Sequence, residues 1–121
     1  MKREFVMTEW FDQSWSGLKL TDEHLLELQS ELMNNPQSGT VMRGTGGFRK
    51  MRFALPGRGK SSSVRIVYID ISKFETVYLM LAYPKSEKDS LSQSECNELK
   101  KISENIKNNL SKRKGKVIKH G

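Results

Sequence analysis

The spacing of apolar residues changes period along the chain, and each change marks an element. Arg3 to Thr8 alternates, with Phe5 and Met7 on one side, and predicts a short strand. Trp10 to Leu18 is short and aromatic-rich, enough for one or two helical turns that Gly17 ends. Leu25, Leu28 and Leu32, with Leu26 and Met33 beside them, then recur at helical spacing. Thr21 is placed to cap this helix, Asp22 and Glu23 suit its positive start, and Leu20 and Leu25 sit at staple spacing. Asn34-Asn35-Pro36 stops it, and His24 in its first turn fits a capping or surface role.

Past a Gly-rich stretch, Gly39 to Gly47, the period drops to two. Met51, Phe53 and Leu55 fall on one face of a strand, Lys50 and Arg52 on the other. Pro56 to Ser63 reads as a turn, and the β-prone runs Val64–Ile71 and Thr76–Tyr83 are joined by Ser72 to Glu75. These runs predict a three-stranded antiparallel meander with the first strand added as an edge. Helical spacing returns after Ser92-x-x-Glu95, a capping-box pattern, with Cys96, Leu99, Ile102, Ile106 and Leu110 on one stripe. The expected class is α+β in the order β-α-α-β-β-β-α, an antiparallel sheet with helices on one face and the other partly open. One domain is expected over residues 1–110, with residues 111–121 a separate, mobile basic tail.

Composition narrows this picture. With 121 residues and 36% of them hydrophobic, the chain has room for one modest core. No apolar run approaches the roughly 18 residues of a membrane span. Met1 to Phe5 lacks the apolar region of a secretory signal, so a cytoplasmic location is expected. The single cysteine, Cys96, excludes an internal disulfide and a Cys-based zinc cage, and it reads as a small buried hydrophobe.

The net charge of +7 is unevenly spread. Residues 1–40 carry 3 basic and 7 acidic side chains, residues 41–73 carry 8 and 1, and residues 111–121 carry 5 and none. From Arg43 to Arg65 there are seven cations and no carboxylate. Such a block is either a solvated face or a seat for an anion, and a polyphosphate is the natural candidate.

Other chemistries fit poorly. Ala54 to Ser61 nearly spells a phosphate loop, but Ala54 replaces its first glycine and a strand, not a helix, follows. Gly44 to Gly47 also precedes a strand, so it is no dinucleotide fingerprint. His24 and His120 are the only histidines, which leaves no two-His metal set and no Ser-His-Asp arrangement, and neither metal nor cofactor is expected. The basic face remains. If the strands are neighbours, Lys50 and Arg52, Arg65, and Tyr83-Pro84-Lys85 converge on one patch. Guanidinium forks suit phosphate oxygens, and a tyrosine ring suits an unstacked base, as single-stranded RNA requires. Cations around one phosphate also stabilise the charge of a transition state. The residues leave cleavage and simple binding of RNA equally open.

Gly44-Thr45-Gly46-Gly47-Phe48-Arg49-Lys50-Met51-Arg52, the Gly/Lys/Ser-rich turn, Val64-Arg65-Ile66-Val67-Tyr68 and Tyr83-Pro84-Lys85 resemble the RelE/ParE toxin superfamily. The likeness is nearest to its HigB-like (RelE/HigB) branch, which Glu31 to Gly39 also resembles. It covers roughly residues 3–110 in element order and is specific mainly across 44–85. This implies a RelE-like fold and a ribosome-dependent, metal-independent endoribonuclease that cuts translated mRNA by 2′-hydroxyl attack. It also implies a cognate antitoxin, often of helix-turn-helix type, with any contact to operator DNA made through that complex.

By the same resemblance the catalytic positions are Lys50, Arg52, Arg65 and Lys85. Arg65 would stabilise the phosphorane-like transition state and Arg52 would clamp phosphate. Lys50 and Lys85 would position phosphate or move protons. An arginine is too basic to serve as a general base at neutral pH, which favours Lys50 for proton transfer. Arg43, Arg49, Arg58, Lys60, Tyr83 and Lys88 are expected to hold the RNA. The family's further arginine and tyrosine after the last strand have no counterpart in Ser86 to Ser92. ParE-type toxins share the fold and inhibit gyrase without cutting RNA. A gyrase inhibitor and a non-catalytic nucleic-acid-binding module are therefore the alternatives.

Overall fold

A computed structural model describes residues 2–54, 63–84 and 91–120, with side chains through Lys112. Five strands form one sheet in the order β1-β5-β4-β3-β2. The strands are β1 (Glu4–Met7), β2 (Thr40–Val41), β3 (Arg49–Phe53), β4 (Val64–Ile71) and β5 (Thr76–Pro84). The helices are α1 (Glu9–Gly17), α2 (Asp22–Asn34) and α3 (Gln93–His120). The α+β class and the expected elements are present. β2 is an additional edge strand, paired with β3 through Thr40 and Val41. The meander β3-β4-β5 is antiparallel, but β1 joins β5 in parallel, so the sheet is mixed.

The helix starts follow their caps. Thr8 accepts from the Phe11 amide and starts α1, a cap the sequence pattern did not single out. Thr21 caps α2 as expected, and the His24 ring completes the box by accepting from the Thr21 amide through Nδ1. Ser92 and Glu95 form the reciprocal box ahead of α3.

Two cores lie on opposite faces of the sheet. Phe11, Trp15, Leu28 and Leu32 from α1 and α2 pack on Met51, Phe53, Ile66, Tyr68, Val77 and Leu79. Leu99, Ile106 and Leu110 from α3 pack on Phe48, Val67, Ile69, Ile71 and Met80. The expectation of helices on one face only is therefore corrected. β4 is central and apolar on both faces, so a single helical layer leaves half of it in water. Cys96 is half-buried, short of the full burial expected for it.

α3 is pinned to the rest of the molecule at one carbonyl. Ser103 Oγ and Lys107 Nζ both donate to Gly46 O, at 2.7 and 2.9 Å. The turn before β3 reaches this contact through three positive-φ glycines, Gly44, Gly46 and Gly47. Beyond Leu110 the helix runs on through residues 111–120, with no break before the stretch expected to be a separate tail. Lysine and arginine are good helix formers, so an apolar stripe is not needed to continue one.

Candidate phosphate-binding site

Strand register brings the predicted cations together. Arg52 pairs across β3 and β4 with Arg65, and Arg65 pairs across β4 and β5 with Tyr83. The three form one row across three strands, spanning roughly 10 Å at ordinary strand spacing. Lys50 sits two residues back on β3 and shares the face of Arg52, opposite the buried Met51 and Phe53. The face is the one on which α3 packs further along, so the row lies at one end of the second core.

Tyr83 reaches this row through an irregularity. Between β4 and β5 the register shifts at Val67/Tyr68, so Val67 faces Leu81 and Tyr68 faces Leu79, with Met80 the extra residue. Without this bulge, strict alternation from Leu79 would turn Tyr83 to the other face. The bulge delivers Tyr83 beside Arg65 and also buries it. At 8% exposure its ring packs in the second core and lends little surface to a base.

Arg65 is the unusual member. It is only 8% exposed, and its Nη1 is buried with no hydrogen-bond partner among the described residues. Neither Arg52 nor Arg65 joins an ion pair among those residues. By contrast Arg3 holds Asp70 with Nε and Nη2, at 2.8 and 3.4 Å. That hydrogen bond raises the already high pKa of Arg3. A buried guanidinium with an unpaired nitrogen, set opposite a second arginine, is short of negative charge. An anion with oxygens to share satisfies both arginines at once.

The remaining predicted residues divide. Arg49 lies on β3 but on the other face from Lys50 and Arg52, where its Nη1 donates to Gly39 O at 2.7 Å and to Gln37 O at 3.3 Å. There it fastens the 36–39 loop together with the buried Tyr68, which donates to Pro36 O and accepts from the Gly39 amide, both at 2.9 Å. Arg43 is exposed in the turn ahead of β3, at the opposite end of that strand from Arg52. Arg58, Lys60, Lys85 and Lys88 lie outside the described residues.

Among the described residues no three His, Cys, Asp or Glu side chains cluster as metal ligands. None of their helices is long and apolar enough to cross a membrane. An apolar hollow of about 290 Å³ is lined by Trp10, Leu81, Leu91, Glu98, Leu99 and Ile102, among others. It offers carboxylates and no cation, so it is not where an anion binds.

The class is thus an α+β domain with a five-stranded mixed sheet that sets Arg52 and Arg65 side by side. The sequence profile described as the RelE toxin of the RelE / RelB toxin-antitoxin system matches residues 3–121, and the chain belongs to that family. It is the toxin of a toxin–antitoxin system, and the family supplies its partner class, a cognate antitoxin. The fold is similar to a solved structure of the E. coli toxin RelE, a double arginine-to-alanine mutant in the free state. The two share 19% identity with a TM-score of 0.50, over 74% of this chain and 90% of that one.

Proposed function

We propose that this toxin is a ribosome-dependent, metal-independent endoribonuclease that cuts translated mRNA and so arrests translation. The observation that carries the proposal is the Arg52–Arg65 pair on neighbouring strands, with the buried Nη1 of Arg65 unpartnered among the described residues. In the reaction the ribose 2′-hydroxyl attacks the neighbouring phosphorus as its proton leaves. The bond to the 5′-oxygen breaks, and the products are a 2′,3′-cyclic phosphate and a 5′-hydroxyl. Charge on the non-bridging oxygens rises on the way, and Arg65 is the residue assigned to stabilise it. Arg52 clamps the same phosphate, and Lys50 is the proton-transfer candidate on their strand. Lys85 is assigned by the family resemblance to position phosphate or move protons.

The test maps product ends. Purified toxin is mixed with programmed ribosomes in chelator, using mRNA with either ribose or 2′-deoxyribose at the cut site. Cyclic-phosphate ends from the ribose substrate and no cut in the deoxy substrate are expected. Equal cutting of both substrates, or cutting abolished by the chelator while translation complexes remain intact, contradicts the proposal.

A further inference from the structure

We propose that Thr8 and Ser14 are positioning residues, two hydroxyls at α1 that clamp the bulge of β5 and thereby hold Tyr83 beside Arg65. The inference deepens the reading above and rests on it for the reaction that the row serves.

β5 outruns its neighbour. β1 pairs with it only from Thr76 to Leu79, and Thr8 closes that ladder by donating its amide to Leu79 O at 3.1 Å. Among the described residues no strand lies outside β5 beyond this point, although Met80 and Ala82 are buried. A buried carbonyl or amide without a partner is costly, and two side chains meet the demand. Thr8 Oγ1 donates to Met80 O at 3.2 Å, and Ser14 Oγ accepts from the Ala82 amide at 3.1 Å. Each hydroxyl is also tied into α1. Thr8 Oγ1 accepts from the Phe11 amide at 3.1 Å, and Ser14 Oγ donates to Phe11 O at 3.0 Å. Phe11 is buried in the first core beside Trp15, so the clamp has a fixed root.

The two bonds bracket Leu81, and with it the bulge. Met80 and Leu81 together oppose Val67, and all three belong to the second core. Ala82 returns to the first core, and Tyr83 falls on the second, directly across from Arg65. Were the bulge to slip out, Tyr83 would exchange faces and Arg65 would lose its cross-strand neighbour. A guanidinium that must meet a phosphate needs a fixed direction as much as a charge. Misplacement by about 1 Å costs on the order of 100-fold in rate. Ser14 itself is a poor choice for the middle of a short helix, and its bond to β5 offsets that local cost. The row is thus set by a helix that contributes no cation to it and whose buried residues lie on the opposite face of the sheet.

The test takes kcat and KM for mRNA cutting on programmed ribosomes, using the whole protein and four variants. The Arg65 Nε–H resonance of the free protein, assigned by its absence from Arg65→Ala, reports the site without any reaction. Ser14→Ala is expected to lower kcat about 10- to 100-fold with KM within about threefold, and to shift the resonance. Ser14→Thr keeps the hydroxyl and is expected to restore kcat to within about threefold of the parent. Thr8→Asp keeps an acceptor for the helix cap but cannot donate to Met80 O, and is expected to repeat the loss. Thr21→Ala removes the cap of α2, a comparable loss of stability far from β5, and is expected to leave both kcat and the resonance alone. Ser14→Ala with the parent's kcat and resonance, or a loss that Thr21→Ala reproduces, overturns the clamp. The two readings fail separately. A parent protein that never cuts mRNA, but whose resonance moves in Ser14→Ala and Thr8→Asp and not in Thr21→Ala, sinks the endoribonuclease and supports the clamp. A parent that cuts, with Ser14→Ala cutting equally and its resonance unmoved, does the reverse.

Discussion

Stripping water from a guanidinium costs free energy that a carboxylate or a carbonyl ordinarily returns. Arg49 receives two carbonyls, and Arg3 receives Asp70, while Nη1 of Arg65 receives nothing among the described residues. The sign of each residue's effect follows. Replacing Arg65 by methionine fills the volume and removes the unpaired group, so stability is expected to hold or rise by about 1–3 kcal/mol. The melting temperature then stays level or climbs a few degrees while toxicity disappears. A fall of several degrees contradicts this and makes Arg65 a structural strut. Tyr68→Phe goes the other way, leaving Pro36 O and the Gly39 amide without their hydroxyl partner. It is expected to cost about 1–3 kcal/mol in urea unfolding at an unchanged m-value. The identity of the cationic strand positions was legible from alternation alone, because Met51 and Phe53 mark the buried face. That Arg49 faces away was implicit in the same alternation, but its charge and its place in the basic block masked its structural task.

At the scale of elements, what escaped the sequence is what depends on partners. Period-two spacing marks a strand but does not reveal that β4 needs cover on both faces, so the second core and the place of α3 were not legible. A bulge leaves no mark in a β-prone run such as Thr76 to Tyr83, yet it decides which face Tyr83 occupies. The Gly44–Gly47 stretch was legible only as a turn. Its more specific duty is close approach, since a Cβ on Gly46 lies 2.8 Å from both Cβ and Oγ of Ser103, at φ +76°. Gly46→Ala is therefore expected to cost at least about 2 kcal/mol, from left-handed strain plus the clash. Adding Ser103→Gly relieves the clash but not the strain, and it also removes the hydrogen bond to Gly46 O and sets a glycine inside α3, so the double variant also stays below the parent. Thermal unfolding of the two variants checks this order, and equal stability of Gly46→Ala and the parent contradicts it.

The whole molecule separates its charges. The acid-rich N-terminal 40 residues supply β1, α1 and α2, and the cation-rich residues 41–73 supply β3 and β4. The segment that holds β3 and β4 therefore carries an excess of positive charge, and residues 111–121 add five more cations. Among the described residues Lys50, Arg52 and Arg65 share one face of the sheet, whereas Arg49 faces the other way and Arg43 lies at the far end of β3. Family membership was legible because its motifs lie on β3, β4 and the turn before them, where alternation and glycine positions are local properties.

The central claim is that the arginine row breaks RNA rather than merely holding it. Primer extension on a translated mRNA, with and without ribosomes, compares the parent toxin with Arg65→Ala. New 3′ ends are expected only with ribosomes and the parent protein, with cutting by Arg65→Ala reduced about 100- to 1,000-fold although the protein remains folded. Undiminished cutting by folded Arg65→Ala, or ribosome-bound parent toxin that leaves the mRNA whole, contradicts the claim.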